Sequence, residues 1–298
     1  MRKATRAWPL ALLVLCHAAA AQTVVATDRN VAKDSPEGWA MRYFTGTTLL
    51  TSFGETARLA PWRWNVAADL GNIPQLSASQ QRVVFGAFQD GDLNKSPIFG
   101  RLRAAVGLPY DWVAEVAYTP PLEIDGARPR NVFAGAIGRR IFDENAFTLS
   151  LRAVGQVGKV RGDITCPARV AGVTDPVLNP YGCQAPSSDA FNTDYWGGDA
   201  TLGWNTGEWR WHASAGLVRT RLSVQVDALV FQLRDRSHLA SDGMLRWFAI
   251  GTRYALDPHW SVAAEFLRVP LNVRRPPAFA TEADPLNSVR VQLRYTID

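Results

Sequence analysis

The chain has little of what builds most other classes of protein. Three cysteines in 298 residues exclude a disulfide-rich mini-scaffold. Neither of the two later cysteines has a histidine close by or a C-x-x-C partner, so no zinc motif is present. No phosphate-cradling glycine loop occurs, and nothing in the sequence calls for a cofactor or a metal. Beyond residue 21 no apolar run reaches the ~18 residues of a membrane helix, which excludes a helical membrane protein. Lysine is scarce, with four against 28 arginines. A hydrophobic share of 47% nonetheless excludes wholesale disorder.

The N-terminus reads as an export signal. Arg2, Lys3 and Arg6 precede the apolar run Leu10-Ala11-Leu12-Leu13-Val14-Leu15, and Ala19-Ala20-Ala21 supplies small residues for cleavage. The expected signal peptide is 1–21. Leu15 before Cys16 is too large for a lipoprotein signal. Removing the three basic residues leaves 29 basic against 27 acidic side chains, a mature charge of +2. No one-sided basic run remains, so nucleic acid is not an expected partner. Export also places Cys166 and Cys183 in an oxidising compartment, where a disulfide is the default.

Period-two alternation dominates the mature chain. In residues 290–297, Val291, Leu293, Tyr295 and Ile297 share one face, and Arg290, Gln292, Arg294 and Thr296 share the other. This is a strand with one apolar and one wet side. Twelve such segments are expected, near 40–54, 62–71, 82–90, 98–107, 112–123, 131–142, 147–162, 194–204, 209–224, 243–256, 260–274 and 287–297. Ten to fourteen strands fit the pattern. Trp209 and Trp211 share parity with Arg219 and Arg221, which suggests a bulge near Val218.

From residue 98 the connections alternate between short turns and long loops, the layout of a transmembrane β-barrel. That layout puts both termini with the short turns, in the periplasm, and the 163–193 loop outside. Residues 22–38 are then a periplasmic lead, and 39–298 form a single barrel domain. Trp112, Trp204, Trp209, Trp211, Tyr254 and Trp260 fall near short turns, as an aromatic girdle requires. On alternation, loop asymmetry and aromatic placement together, the mature chain resembles bacterial outer-membrane β-barrel proteins of porin-like architecture. The resemblance is architectural and singles out no family. It implies the outer membrane of a Gram-negative cell. The C-terminus departs from the pattern, because the last aromatic, Tyr295, stands three positions early.

Charged side chains of the wet face should line the lumen. Arg63, Arg101, Arg103, Glu115, Arg152, Glu265, Arg290 and Arg294 are the principal candidates. They fit a narrow, weakly anion-preferring passage or binding site for small solutes. They fit equally a network of arginine and carboxylate that props the wall and conducts nothing. The arginine excess suits phosphate contacts with lipopolysaccharide and outer-membrane lipid, although codon bias would produce it too. The sequence is silent on whether any segment plugs the barrel. An enzyme is the competing class. His212 and Ser214 give an H-x-S that resembles outer-membrane phospholipase A, but Ala215-Gly216 follows where that family has Asn-Gly. No third residue nearby would orient the base. Asp90-Gly91-Asp92 with Asn94 reads as a turn, lacking the later glutamate of a calcium loop.

Overall fold

The computed structural model of the protein describes residues 23–54, 56, 59–84, 89–277 and 279–297. The expected signal peptide lies outside the described residues. Among the described residues ten antiparallel strands form the barrel: β1 (Trp64–Asn72), β2 (Ile98–Gly107), β3 (Trp112–Thr119), β4 (Arg128–Glu144), β5 (Phe147–Gly162), β6 (Asp189–Thr206), β7 (Trp209–Gln225), β8 (His238–Ala255), β9 (Trp260–Val269) and β10 (Leu286–Ile297). Each strand pairs with the next, and β10 pairs with β1 to close the cylinder. Closure removes the free edges that would otherwise leave backbone groups unpaired.

The count is ten rather than about twelve, for two local reasons. Residues 40–54, expected as a strand, form most of helix α1 (Pro36–Thr47) and an extended stretch after it. Of residues 82–90, the described ones form only a short antiparallel pair, Arg82–Val84 with Gln89–Asp90, in the β1–β2 connection. A run of alternating or apolar residues marks burial against something, and here the neighbour is the barrel interior rather than a strand.

Outward positions on the lower two-thirds of the wall are apolar and exposed, among them Val66, Leu102, Val116, Leu151, Ile250 and Phe266. The short turns lie at residues 108–111, 145–146, 207–208 and 256–259. At the rim they form, aromatic rings touch in sequence. Trp204 meets Trp211 at 6.3 Å, Trp209 meets Tyr254 at 4.9 Å, and Trp260 meets Tyr295 at 4.8 Å. Trp112 is exposed at the same rim. Asp257 shapes the last of these turns by accepting from the backbone N–H groups of His259 and Trp260, and these bonds hold its carboxyl below the usual range.

The opposite rim carries the long connections. A small sheet caps it, in the order 24–25, 233–235, 228–230 and 183–185. Cys166 and Cys183 are joined in a buried disulfide beside this sheet. Topology reasoning placed both termini with the short turns, and β10 does end there. The described start of the chain is at the other rim, where Asp28–Asn30 runs parallel to the beginning of β8.

No bulge interrupts β7. Its register runs without a shift from Thr206↔Trp209 to Ala190↔Gln225 against β6, and likewise along β8. Trp209, Trp211, Arg219 and Arg221 are therefore all outward. The faces change polarity instead. Beyond the apolar band the outside turns charged, while the inside turns apolar at Val218 and Leu222, where α1 packs.

Candidate functional site

The lumen is occupied by the protein's own N-terminal segment. Ser35 caps α1, its Oγ accepting from Gly38 N at 3.1 Å, and Pro36 occupies the first turn, where its missing N–H costs nothing. Gly38 lets the helix start close to the preceding chain, because a Cβ there would meet Ala32 O at 2.1 Å. Trp39 and Tyr43 pack with Leu245, Trp247, Leu267 and Leu286 of the β8–β10 wall. Arg275 lies 4.7 Å over the Trp39 ring. Burial, aided by the charge of Asp284, pushes the Tyr43 hydroxyl up to about 12, so it stays neutral.

The helix ends in the middle of the lumen with carbonyls that no helical N–H can satisfy. No basic residue stands in its own last turn. The wall supplies the donors instead. Arg290 Nη2 donates to Gly46 O and Thr47 O at 2.9 and 3.0 Å, and its Nη1 donates to Leu49 O at 2.8 Å. Arg101 Nη2 donates to Thr48 O. Further down, Arg152 Nη2 donates to Leu50 O and Arg103 Nη1 to Thr51 O, each at 2.8 Å. Arg253 donates to Phe53 O, and Arg140 Nη2 donates to Thr56 O at 2.9 Å. Two acceptors on the wall, Glu265 and Tyr195, complete the clamp. Thr51 donates to Glu265, and Leu50 N donates to Tyr195 Oη at 2.8 Å.

Carboxylates balance these cations. Arg103 pairs with Asp69 and with Glu115 at 2.8 Å, and Arg152 pairs with Asp199 at 2.8 Å and Glu115 at 3.3 Å. Of the residues proposed for the lumen, Arg101, Arg103, Glu115, Arg152, Glu265 and Arg290 thus meet around residues 46–53. Arg63 lies exposed ahead of β1, and Arg294 is half-buried nearer the short-turn rim. Sequence reading did not identify Tyr195, Gln156 or Arg253 as members. Gln156 joins by donating to Thr48 Oγ1 at 2.8 Å.

Solved structures similar to this chain are bacterial outer-membrane β-barrels. They include the translocator domain of the autotransporter NalP from Neisseria meningitidis (11% identity, 80% of this chain and 90% of that one, TM-score 0.42). Neisserial surface protein A (12%, 78% and 97%, 0.31) and the Pseudomonas putida toluene transporter TodX (13%, 92% and 78%, 0.33) are two others. At these values the likeness concerns overall architecture alone. No protein-family model matches the chain, and no curated protein does.

His212 and Ser214 are sealed under the plug. Ser214 Oγ is 2.9 Å from Thr201 Oγ1, which is 2.9 Å from Ser52 Oγ. Neither ring nitrogen of His212 is hydrogen-bonded to Ser214; its acidic neighbour is Glu265, from a different strand, with its carboxylate 3.6 Å from His212 Nε2. Both side chains are fully buried, so no substrate could reach them in this arrangement.

Between α1 and the β1–β6 side of the wall is a cavity of about 670 Å³. Met41, Phe44, Val83, Leu93, Val132 and Phe191 give it an apolar lining. It reaches through the wall to Leu70, Gly100 and Leu102, whose side faces outward. The cause is a notch between strands. The β2–β3 ladder begins at Leu102↔Tyr118, and β3 stops at Thr119, because Pro120-Pro121 cannot donate to a ladder. Residues 98–101 of β2 therefore have no strand on that side among the described residues. Above the notch Lys95 joins two long connections, at 2.8 Å to both Asp92 and Asp163. Burial works to lower its pKa, but the bonds from these two carboxylates outweigh it and hold the ammonium above its ordinary value. Asn94 ties the two ends of the β1–β2 connection together, its Oδ1 accepting from Leu76 N at 2.7 Å and its Nδ2 donating to Leu76 O at 2.9 Å.

Proposed function

We propose that this is an outer-membrane barrel, closed to ions at rest, that binds a small apolar or amphipathic solute beside its plug. The observation that carries the reading is the use of the lumen arginines. They donate to plug carbonyls and so do not present free guanidinium groups to passing anions. The apolar cavity is the space the plug leaves, and the wall notch gives it a side exit towards the membrane. Passage through the barrel would need residues 46–54 and 56 to release their clamp. The exposed apolar band and the aromatic rim support residence in a membrane, and the signal-like N-terminus supports export.

The test is titration of the folded barrel in micelles with the neutral apolar dye N-phenyl-1-naphthylamine. One saturable site of roughly micromolar affinity, about 8 kcal/mol, is expected. Ile164→Trp, which fills the cavity from the β5–β6 loop, should abolish the enhanced emission. Equal, non-saturating uptake by both proteins would sink the reading.

A further inference from the structure

The outer wall holds a second feature that neither the lumen nor the cavity uses. Three arginines, Arg219 and Arg221 on β7 and Arg246 on β8, point outward and are exposed. None of their side chains has a hydrogen bond or ion pair among the described residues. Arg219 is opposite Met244, which puts Arg246 on the diagonal, and Arg221 is two residues along from Arg219 on the same face. Diagonal and next-but-one neighbours on one face are about 7 Å apart, close enough for three guanidinium groups to share one or two phosphates. Two carboxylates are near. Asp242 is opposite Arg221, and Asp194 is opposite it on the other side. Asp194 is already engaged with Gly158 N at 2.9 Å and Asn192 Nδ2 at 3.2 Å.

The level of the cluster matters. Arg219 is ten residues along β7 from Trp209 at the aromatic rim, which is about 25 Å in height at the usual strand rise and tilt, the thickness of the apolar band of such barrels. The arginines therefore stand where the hydrocarbon gives way to headgroups, on the long-loop side.

Beside them is a trough. Gly135, Gly155, Trp196 and Arg219 lie in one row across four strands. The two glycines form its floor, and Phe133, Val157 and Trp196 rise around it as exposed apolar walls. Arg219 and Arg221 close one end. Guanidinium groups at one end of an apolar trough at the edge of a membrane band match a molecule with phosphates at its head and an acyl chain leading away from it.

We propose that this face binds lipid A of the outer leaflet, with its phosphates on Arg219, Arg221 and Arg246 and an acyl chain in the Gly135–Gly155 trough. The inference rests on the membrane residence stated above. The test is native mass spectrometry of the folded protein in detergent with bis-phosphorylated lipid A, the same lipid without phosphates, and phosphatidylglycerol. Insertion into liposomes, read by protection of the strands from protease, is measured in parallel.

The expected result is preferential retention of bis-phosphorylated lipid A, weakened about tenfold or more by the triple substitution R219A/R221A/R246A. Gly155→Leu should also weaken it; a Cβ there is 3.5 Å from its nearest neighbour, so the fold should tolerate the side chain. If lipid A binds equally with or without phosphates, or phosphatidylglycerol binds as well with the same arginine dependence, the lipid A site is overturned while membrane residence stands. If the protein does not insert at all, it is the membrane reading that fails.

Discussion

Arg290 does what a lysine could not. Its planar fork reaches Gly46, Thr47 and Leu49 at once, where an ammonium on a flexible stem would hold one or two carbonyls less rigidly. Its neighbours in the clamp work the same way, which gives the excess of arginine over lysine a structural use. Arg290→Ala should leave Thr47 O without a donor and Gly46 O and Leu49 O with only their backbone donors, Leu49 N and Thr51 N, at a cost of about 2 kcal/mol. A heat-modifiability gel checks this as a lower unfolding temperature, with Arg290→Lys intermediate; an unchanged temperature would mean that the clamp bears no load. That Arg290 points inward was legible from strict alternation. That its partners are backbone carbonyls was not, because carbonyls leave no mark on a side-chain pattern. The same blindness hid Glu265 from His212: they flank Gly251 of β8 in one row of the wall, and the missing side chain there lets β7 and β9 residues approach.

At the scale of elements, the barrel strands were readable and the plug was not. Residues 290–297 and 147–154 alternate because one face belongs to the exposed apolar outside of the barrel and the other to its polar interior. Helix α1 carries Gly38, Thr45, Gly46 and Thr47, all poor helix formers, so no helical stripe stood out. Its one local signal is Ser35-Pro36-Glu37, a cap followed by a first-turn proline and an acidic residue. Surrounding packing does the rest: a Cβ on Gly46 would lie 2.8 Å from Leu286 Cδ2, so the helix is seated tightly on the wall. The long β5–β6 connection depends on a different constraint. The disulfide Cys166–Cys183, 17 residues apart in sequence, was legible from export and scarcity alone. Opening it with Cys166→Ser and Cys183→Ser should release roughly 3 kcal/mol of loop restraint. Limited proteolysis should then cut within residues 163–188, while the barrel strands stay protected. A cleavage pattern identical to the wild type would show that the cap sheet holds the loop without the bond.

For the whole molecule, connectivity explains the plug. The described chain begins among the long loops, where Val24–Val25 pairs beside Arg234 and Asp235. Strand β1 begins at the opposite rim, at Trp64, which pairs with Ile297. Some segment must cross the height of the barrel between them. About 25 Å requires at least eight extended residues, and residues 48–54 and 56 lie along that path, held by wall bonds to Thr48, Leu50, Thr51, Phe53 and Thr56. Once inside, their backbone groups need partners, which is why the inner face carries arginine, glutamine and tyrosine rather than water-filled space. The most direct measurement is the conductance of the purified barrel in a planar bilayer, compared with a variant lacking residues 23–54. The wild type should give no steady current at moderate voltage, and the shortened barrel should conduct in proportion to voltage. A wild type as conductive as the shortened barrel would contradict the closed, clamped lumen.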